Sequence, residues 1–173
     1  MRLSKKIEAL VKGRKIVLYV GRIEWRKGIG TLIYAFKETL KKIPKARLLI
    51  VGGGRTKAAQ ELDKNEVNRL RNIAKELRLE EKVFFLGPHK QKDLNAFYNL
   101  ASVCVVPSYY EPFGIVPIEA MACGTPVVAS KIGGLQYTVK DGKTGFLAKV
   151  RNYRDLSAKI NKVISKEDRK SVV

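Results

Sequence analysis

Two cysteines, one histidine and one tryptophan are present among 173 residues, so the side chains most used for metal and redox chemistry are nearly missing. Cys104 lies inside the apolar run Val103 to Val106 and Cys123 in Met-Ala-Cys-Gly, neither in a Cys-x-x-Cys pair nor at a metal-ligand spacing. Both read as small core residues. No run of eighteen apolar residues occurs, so no membrane-spanning helix is expected. Met1 to Lys15 is basic and helix-like, without the apolar stretch and small-residue cleavage site of a signal peptide, and a cytoplasmic location is the expectation. Asp-x-Asp is absent, which leaves no obvious carboxylate pair for a divalent ion. Gly-x-Gly-x-x-Gly and Gly-x-x-x-x-Gly-Lys-Ser/Thr are absent as well, which weakens the ordinary dinucleotide and P-loop readings.

Acidic side chains are scarce too. Sixteen Asp and Glu face thirty-five Lys and Arg, for a formal charge of +19. The excess is uneven: residues 1–60 hold sixteen cations against three Glu, a balance of +13 that leaves +6 for the rest. Such a field admits nucleic acid, an anionic membrane surface contacted peripherally, or a nucleotide diphosphate as partner. A solvated lysine-rich surface is the plainer reading. A nucleic-acid-binding module would need a basic-aromatic recognition motif, and none is found, so no specific nucleic acid is expected.

What remains is a chain that is 45% hydrophobic and 29% charged, enough for one α/β domain with a real core. Short β-branched runs alternate with amphipathic stretches. Strands are predicted at Lys15 to Val20, Ala46 to Val51, Lys82 to Leu86, Val103 to Val106, near Pro126 to Ala129 and near Thr144 to Leu147. Helices are predicted at Gly28 to Lys42, around Val67 to Leu77 behind a polar lysine-rich segment, at Asp93 to Ala101, Ile115 to Cys123 and Tyr153 to Ile164, with a short element at Leu135 to Val139. Strands that are continuous apolar runs separated by helices indicate a doubly wound, Rossmann-like parallel sheet of about six strands, covered on both faces. The domain is expected at 15–165, with 1–14 as an inter-domain run-in and 166–173 as a tail. Ligands of such sheets bind beyond the strand carboxyl ends, here the loops beginning at Gly21, Gly52, Gly87, Pro107 and Ser130.

Two of those loops carry chemistry. Gly21-Arg22-Ile23-Glu24-Trp25-Arg26-Lys27-Gly28 places cations between a strand end and a helix start, where unpaired N–H groups and the helix dipole favour phosphate. Arg22 can fork onto two phosphate oxygens and Lys27 supplies a compact charge. Pro107 to Pro126 contains Glu111 in the strand-to-helix link and Glu119 eight positions on. Gly114 permits close backbone approach, Ile115 and Val116 fall in the first helical turn, and Pro117 is tolerated there. The result is a donor-lined anion pocket with a carboxylate on either side. Two carboxylates also admit a glycosidase acid/base pair, but their place in one strand-to-helix unit suits hydroxyl recognition on a nucleotide sugar better. His89 reads as a loop residue.

The Glu111 to Glu119 segment resembles the Glu, seven residues, Glu signature of retaining GT-B glycosyltransferases, and Gly21-Arg22 with Lys27-Gly28 resembles their phosphate-binding pair. Val-Gly-Gly-Gly and Phe-Leu-Gly between them match as well. The wording Ser-Tyr-Tyr-Glu-Pro-Phe-Gly and the segment from Ile132 to Phe146 are similar to bacterial sucrose-phosphate synthase-like and related glucosyl- or N-acetylglucosaminyl-transferases. The resemblance spans residues 15 to 165 and only the carboxyl half of the family's full length. It implies a donor-binding domain whose acceptor-binding domain, with the family's catalytic-site histidine, lies elsewhere. Arg22 and Lys27 would hold the donor diphosphate with Gly21 beside them, and Glu111 would bond sugar hydroxyls with the backbone at Phe113 and Gly114. The N–H groups of Ile115 and Val116 would meet sugar and phosphate oxygens, and Glu119 the ribose. The base would lie near Gly53, Pro88 and Lys90. The resemblance implies no metal and no cofactor, with a glucosyl donor on uridine diphosphate first, and mannosyl or N-acetylglucosaminyl donors as alternatives. Nucleotide-sugar epimerases and glucan phosphorylases share the architecture.

Overall fold

The computed structural model describes residues 4–54 and 56–165. The tail expected at 166–173 lies outside the described residues. In chain order the elements are α1 (Lys5–Val11), β1 (Ile16–Gly21), a 3-10 turn (Trp25–Lys27), α2 (Ile29–Leu40), β2 (Arg47–Gly52), α3 (Lys57–Glu76), β3 (Val83–Gly87) and α4 (Gln91–Leu100). There follow β4 (Val103–Val106), α5 (Ile115–Ala122), β5 (Val127–Ser130), α6 (Leu135–Thr138), β6 (Gly145–Ala148) and α7 (Tyr153–Ile164). β4 lies where its apolar run places it, and the other strands begin and end about one residue later than expected, β1, β2 and β3 because pairing carries on into the glycines at their exits.

All strand pairs are parallel, in the order β3-β2-β1-β4-β5-β6. The order reverses between β1 and β4, so their exits diverge into a crevice at the carboxyl edge. Alternation along each strand divides the core. Val17 and Tyr19 join α2, α3 and α7 on one face through Leu32, Phe36, Leu70 and Ile160. Leu18 and Val20 join α4 and α5 on the other through Phe97, Tyr98 and Ala120. Val103 to Val106 is buried throughout, as a strand covered on both faces must be.

One helix starts earlier than the sequence expectation, and the helix-like start of the chain forms α1. Helix α3 begins at Lys57, where the Thr56 hydroxyl accepts from Ala59 N–H, so the lysine-rich stretch read as a lead-in is helical. Its first three turns bury little, which removes the periodic signal. Within the expected run-in, α1 is capped by Ser4 and seats Ile7 against the sheet among Ile16, Leu18 and Leu49.

Candidate functional site

Residues 22–28 leave β1 through the 3-10 turn and enter α2 at Gly28, whose φ of 69° is left-handed. A Cβ on Gly28 would stand 2.0 Å from the carbonyl oxygen of Pro107, so glycine alone lets the loop after β1 touch the loop after β4. Tyr109 N–H closes the contact by donating to Arg26 O at 2.8 Å. Across this clasp Lys27 Nζ donates to Glu111 Oε2 at 2.7 Å, with the two side chains 19% and 17% exposed. Charge-assisted bonds of that length, partly withdrawn from water, are the strong kind.

A second layer fixes the same two loops. The Trp25 ring meets Tyr109 edge-on at 5.1 Å, and the Arg151 guanidinium lies 5.0 Å and 4.7 Å from the two ring centres. The Tyr109 hydroxyl shares a 2.7 Å hydrogen bond with Thr31 Oγ1 in α2. Trp25 precedes Lys27 by two residues, and Tyr109 precedes Glu111 by two, so the stack sets the register of the ion pair. The loop after β5 supports Glu111 from the far side: Gly134 N–H donates to Glu111 O at 2.9 Å. A Cβ at Gly133 or Gly134 would approach Glu111 O or Pro112 O to 2.4 Å.

Helix α5 starts at Gly114, φ 74°, with no side-chain cap. The N–H groups of Ile115 and Val116 therefore have no partner within the helix. Glu119, one turn further, is held from behind: Tyr98 O–H donates to Oε2 at 2.7 Å and Gln91 Nε2 to Oε1 at 2.5 Å. Burial, and then the bond to Glu119, pushes the Tyr98 hydroxyl well above its ordinary range, so it stays a donor. Beneath the first loop Tyr19 O–H donates to Arg22 O at 2.6 Å; burial, followed by the charge of Glu111, keeps it protonated as well.

A cleft of about 240 Å³ opens between these exits and gathers Gly21, Arg22, Gly53, Pro88, Val116 and Glu119, with Ile115 and His89 also on its wall. Lys27, Glu111, Phe113, Gly114 and Lys90 are not on that wall. Lys27 and Glu111 are joined to each other, Phe113 is 76% exposed, and Lys90 caps α4 beside Pro88, His89 and Gln91. Arg22 is 71% exposed and pairs with Glu24, which also holds Arg26 at 2.7 Å. An adjoining hollow of about 390 Å³ runs from Gly52 to Gly54 past Asp63 and Arg71 to Pro88, and Asp63 Oδ2 accepts from Gly54 N–H at 2.5 Å. His89 Nδ1 lies 3.2 Å from Gly87 O and its ring packs edge-on against Phe97, the place of a loop residue. The roles of Gln91, Tyr98, Tyr109 and Arg151 carry no signature in the sequence, since each depends on a partner far along the chain, while Glu24 holds two arginines of its own loop.

Cations, N–H groups without helical partners and carboxylates thus meet at the switch point of a doubly wound sheet, the place where such sheets bind ligands. The chain belongs to the family described as glycosyl transferases group 1, whose model matches residues 1–172. It is 38% identical over 154 residues to a D-inositol 3-phosphate glycosyltransferase of Corynebacterium jeikeium, covering 89% of this chain and 36% of that protein. Among solved structures, sucrose-phosphate synthase from Thermosynechococcus elongatus superposes with a TM-score of 0.79 at 41% identity, over 92% of this chain and 38% of the other. Anabaena HepE in complex with UDP-glucose superposes at 0.84 with 30% identity, over 96% and 43%. The chain thus spans little more than a third of the length of the curated relative it matches.

Proposed function

We propose that this chain is the donor-binding domain of a retaining, metal-independent glycosyltransferase that moves a hexosyl group, glucosyl first, from a nucleotide diphosphate sugar to an acceptor. The observation that carries the reading is the Lys27–Glu111 pair: one bond joins the two loops that a diphosphate and a sugar would have to meet together. Lys27 and Arg22 would neutralise the diphosphate, and the N–H groups of Ile115 and Val116 would receive its oxygens. Binding would draw Arg22 from Glu24. Glu111 Oε1, not engaged by Lys27, would accept from a sugar hydroxyl. Glu119, preset by Tyr98 and Gln91, would take the ribose with its remaining lone pairs.

In the transfer step the bond between sugar C1 and the diphosphate oxygen breaks with its electron pair staying on the diphosphate, where the two cations offset the growing charge, while the acceptor oxygen bonds to C1 and gives its proton to the departing diphosphate. The name of HepE bound to UDP-glucose supports a uridine nucleotide, and mannosyl or N-acetylglucosaminyl donors are the alternatives. An acceptor-binding domain would lie in the part of the full-length protein that corresponds to the unmatched length of the relatives, and this chain alone would bind donor without transferring it. Calorimetric titration of the chain with UDP-glucose, UDP-N-acetylglucosamine and GDP-mannose tests the proposal. Saturable binding of one of them, weakened by Lys27→Ala, is expected; binding of none refutes it.

A further inference from the structure

The charge excess has a location that donor binding does not use. Because every strand runs the same way, all strand entries share one edge, about 20 Å of strand length from the exits that form the cleft. The entries to β1 and β2, residues 12–15 and 41–47, carry seven cations and no acidic residue. They are neighbours, about 4.8 Å apart at the strands: Ile16 pairs with Arg47, and Arg47 N–H donates to Lys15 O at 2.9 Å. Lys82, at the entry to β3, donates to Pro44 O at 3.0 Å, and the exposed Glu80 and Glu81 of the same turn end the basic row there. Lys12, Arg14, Lys15, Lys41, Lys42 and Lys45 are exposed. Among the described residues only Lys41 has an acidic partner, Glu38 at 2.7 Å.

Like charges gathered on adjacent turns repel one another, and an anionic surface laid against them removes that cost. We propose that the part of this edge at the β1 and β2 entries is a docking face for an anionic lipid bilayer. Two features favour lipid over nucleic acid. The face consists mainly of lysines, compact charges suited to a diffuse field, while Arg47 lies over the Phe84 ring at 5.2 Å. None of the exposed large apolar side chains lies in these turns, so there is no ring on which a base could stack and no wedge to insert. Attachment is electrostatic, and salt reverses it. It leaves the cleft at the opposite edge facing away from the bilayer, open to soluble donor. The inference is independent of which donor the cleft takes.

The test is co-sedimentation of the 173-residue chain with vesicles of phosphatidylcholine alone, or mixed with an equal share of phosphatidylglycerol. Binding only to the mixed vesicles, released by salt, is expected. Each cation near such a surface contributes about fivefold in partitioning, so Lys15→Gln, Lys42→Gln and Lys45→Gln together should lower it roughly a hundredfold. The same three-charge change at exposed Lys57, Lys92 and Lys149, which follow strand exits at the opposite edge, should cost less than about fivefold. Circular dichroism and thermal melts check that both triple variants fold. Equal losses in the two triple variants would show an effect of net charge alone and overturn the proposal. So would failure of the parent chain to bind mixed vesicles, or tighter binding to a DNA duplex at the same salt.

Discussion

Replacing Lys27 by alanine removes the 2.7 Å bond and leaves the Glu111 carboxylate, 17% exposed, without its cation. Breaking a fully buried pair costs about 3–5 kcal/mol. Here roughly a fifth of each side chain reaches water, so about 2 kcal/mol is expected, seen as a lower denaturant midpoint at unchanged slope. The same variant loses a fixed donor to the diphosphate. At about 1.4 kcal/mol per tenfold, a loss of about 2 kcal/mol weakens UDP binding roughly thirtyfold. In the full-length enzyme, where Lys27 would also face the charge that builds up on the leaving diphosphate, the expected loss is about 3 kcal/mol, or a hundredfold in turnover. Glu111→Gln separates stability from affinity. It breaks the same pair and destabilises to a similar degree, yet it removes a negative charge from beside the diphosphate, so UDP affinity should hold or rise. UDP-glucose should lose its advantage over UDP in that variant. If Lys27→Ala and Glu111→Gln change UDP affinity equally, the pair is only a structural brace and the assignment of Lys27 to the diphosphate is wrong.

Arg22→Ala should also weaken UDP at least tenfold, while Glu24→Gln, which releases Arg22, should tighten it severalfold; titration calorimetry on both variants decides whether Glu24 holds Arg22 back. Arg151→Ala should weaken UDP about fivefold through the Trp25–Tyr109 stack, with no further effect on a Lys27→Ala background, and additive losses would show that the stack does not act through Lys27. Gly28→Ala should cost about 3 kcal/mol or more in denaturant unfolding, because the added Cβ meets Pro107 O at a left-handed φ. Tyr19 and Tyr98 hold their protons in the folded state above the ordinary tyrosine value of about 10, whereas the unfolded chain releases them there. The unfolded state then binds fewer protons, so the stability they contribute is complete below about pH 10 and falls as pH rises further. Thermal melts of the parent chain and of Tyr98→Phe across that range should show a shallower decline in the variant.

The order of strands and helices was legible because this sheet is covered on both faces. Val103 to Val106 and Val127 to Ala129 are unbroken apolar runs, and the glycines at 21, 52 and 87 end their strands where the chain must turn toward the ligand edge. Helix α7 was placed to the residue, since Leu156, Ile160, Val163 and Ile164 repeat on one buried stripe. The start of α3 was hidden for the opposite reason. From Lys57 to Asn65 its residues are mostly exposed, and an exposed helix leaves no apolar period to read, only its Thr56 cap. Strand order 3-2-1-4-5-6 follows from the fold class, not from any single residue.

The site was legible only in part. Residues such as Arg22, Lys27, Glu111 and Glu119 are marked by their own chemistry and spacing, so the sequence shows where each stands. It does not show what each touches. Glu24 stands as one acid in a basic loop and holds two arginines; Tyr98, inside the helix predicted at Asp93 to Ala101, holds Glu119 with its hydroxyl. Arg151 stands 126 residues beyond Trp25 and adopts a left-handed φ of 59°, a cost that its stacking over two rings offsets. Such contacts form because neighbouring strands deliver their exits side by side, which makes them properties of the sheet order. A parallel sheet therefore settles the site twice: its exits bring the Lys27 and Glu111 loops into hydrogen-bond range, and its entries bring the lysines of residues 12–15 and 41–47 together at the other edge.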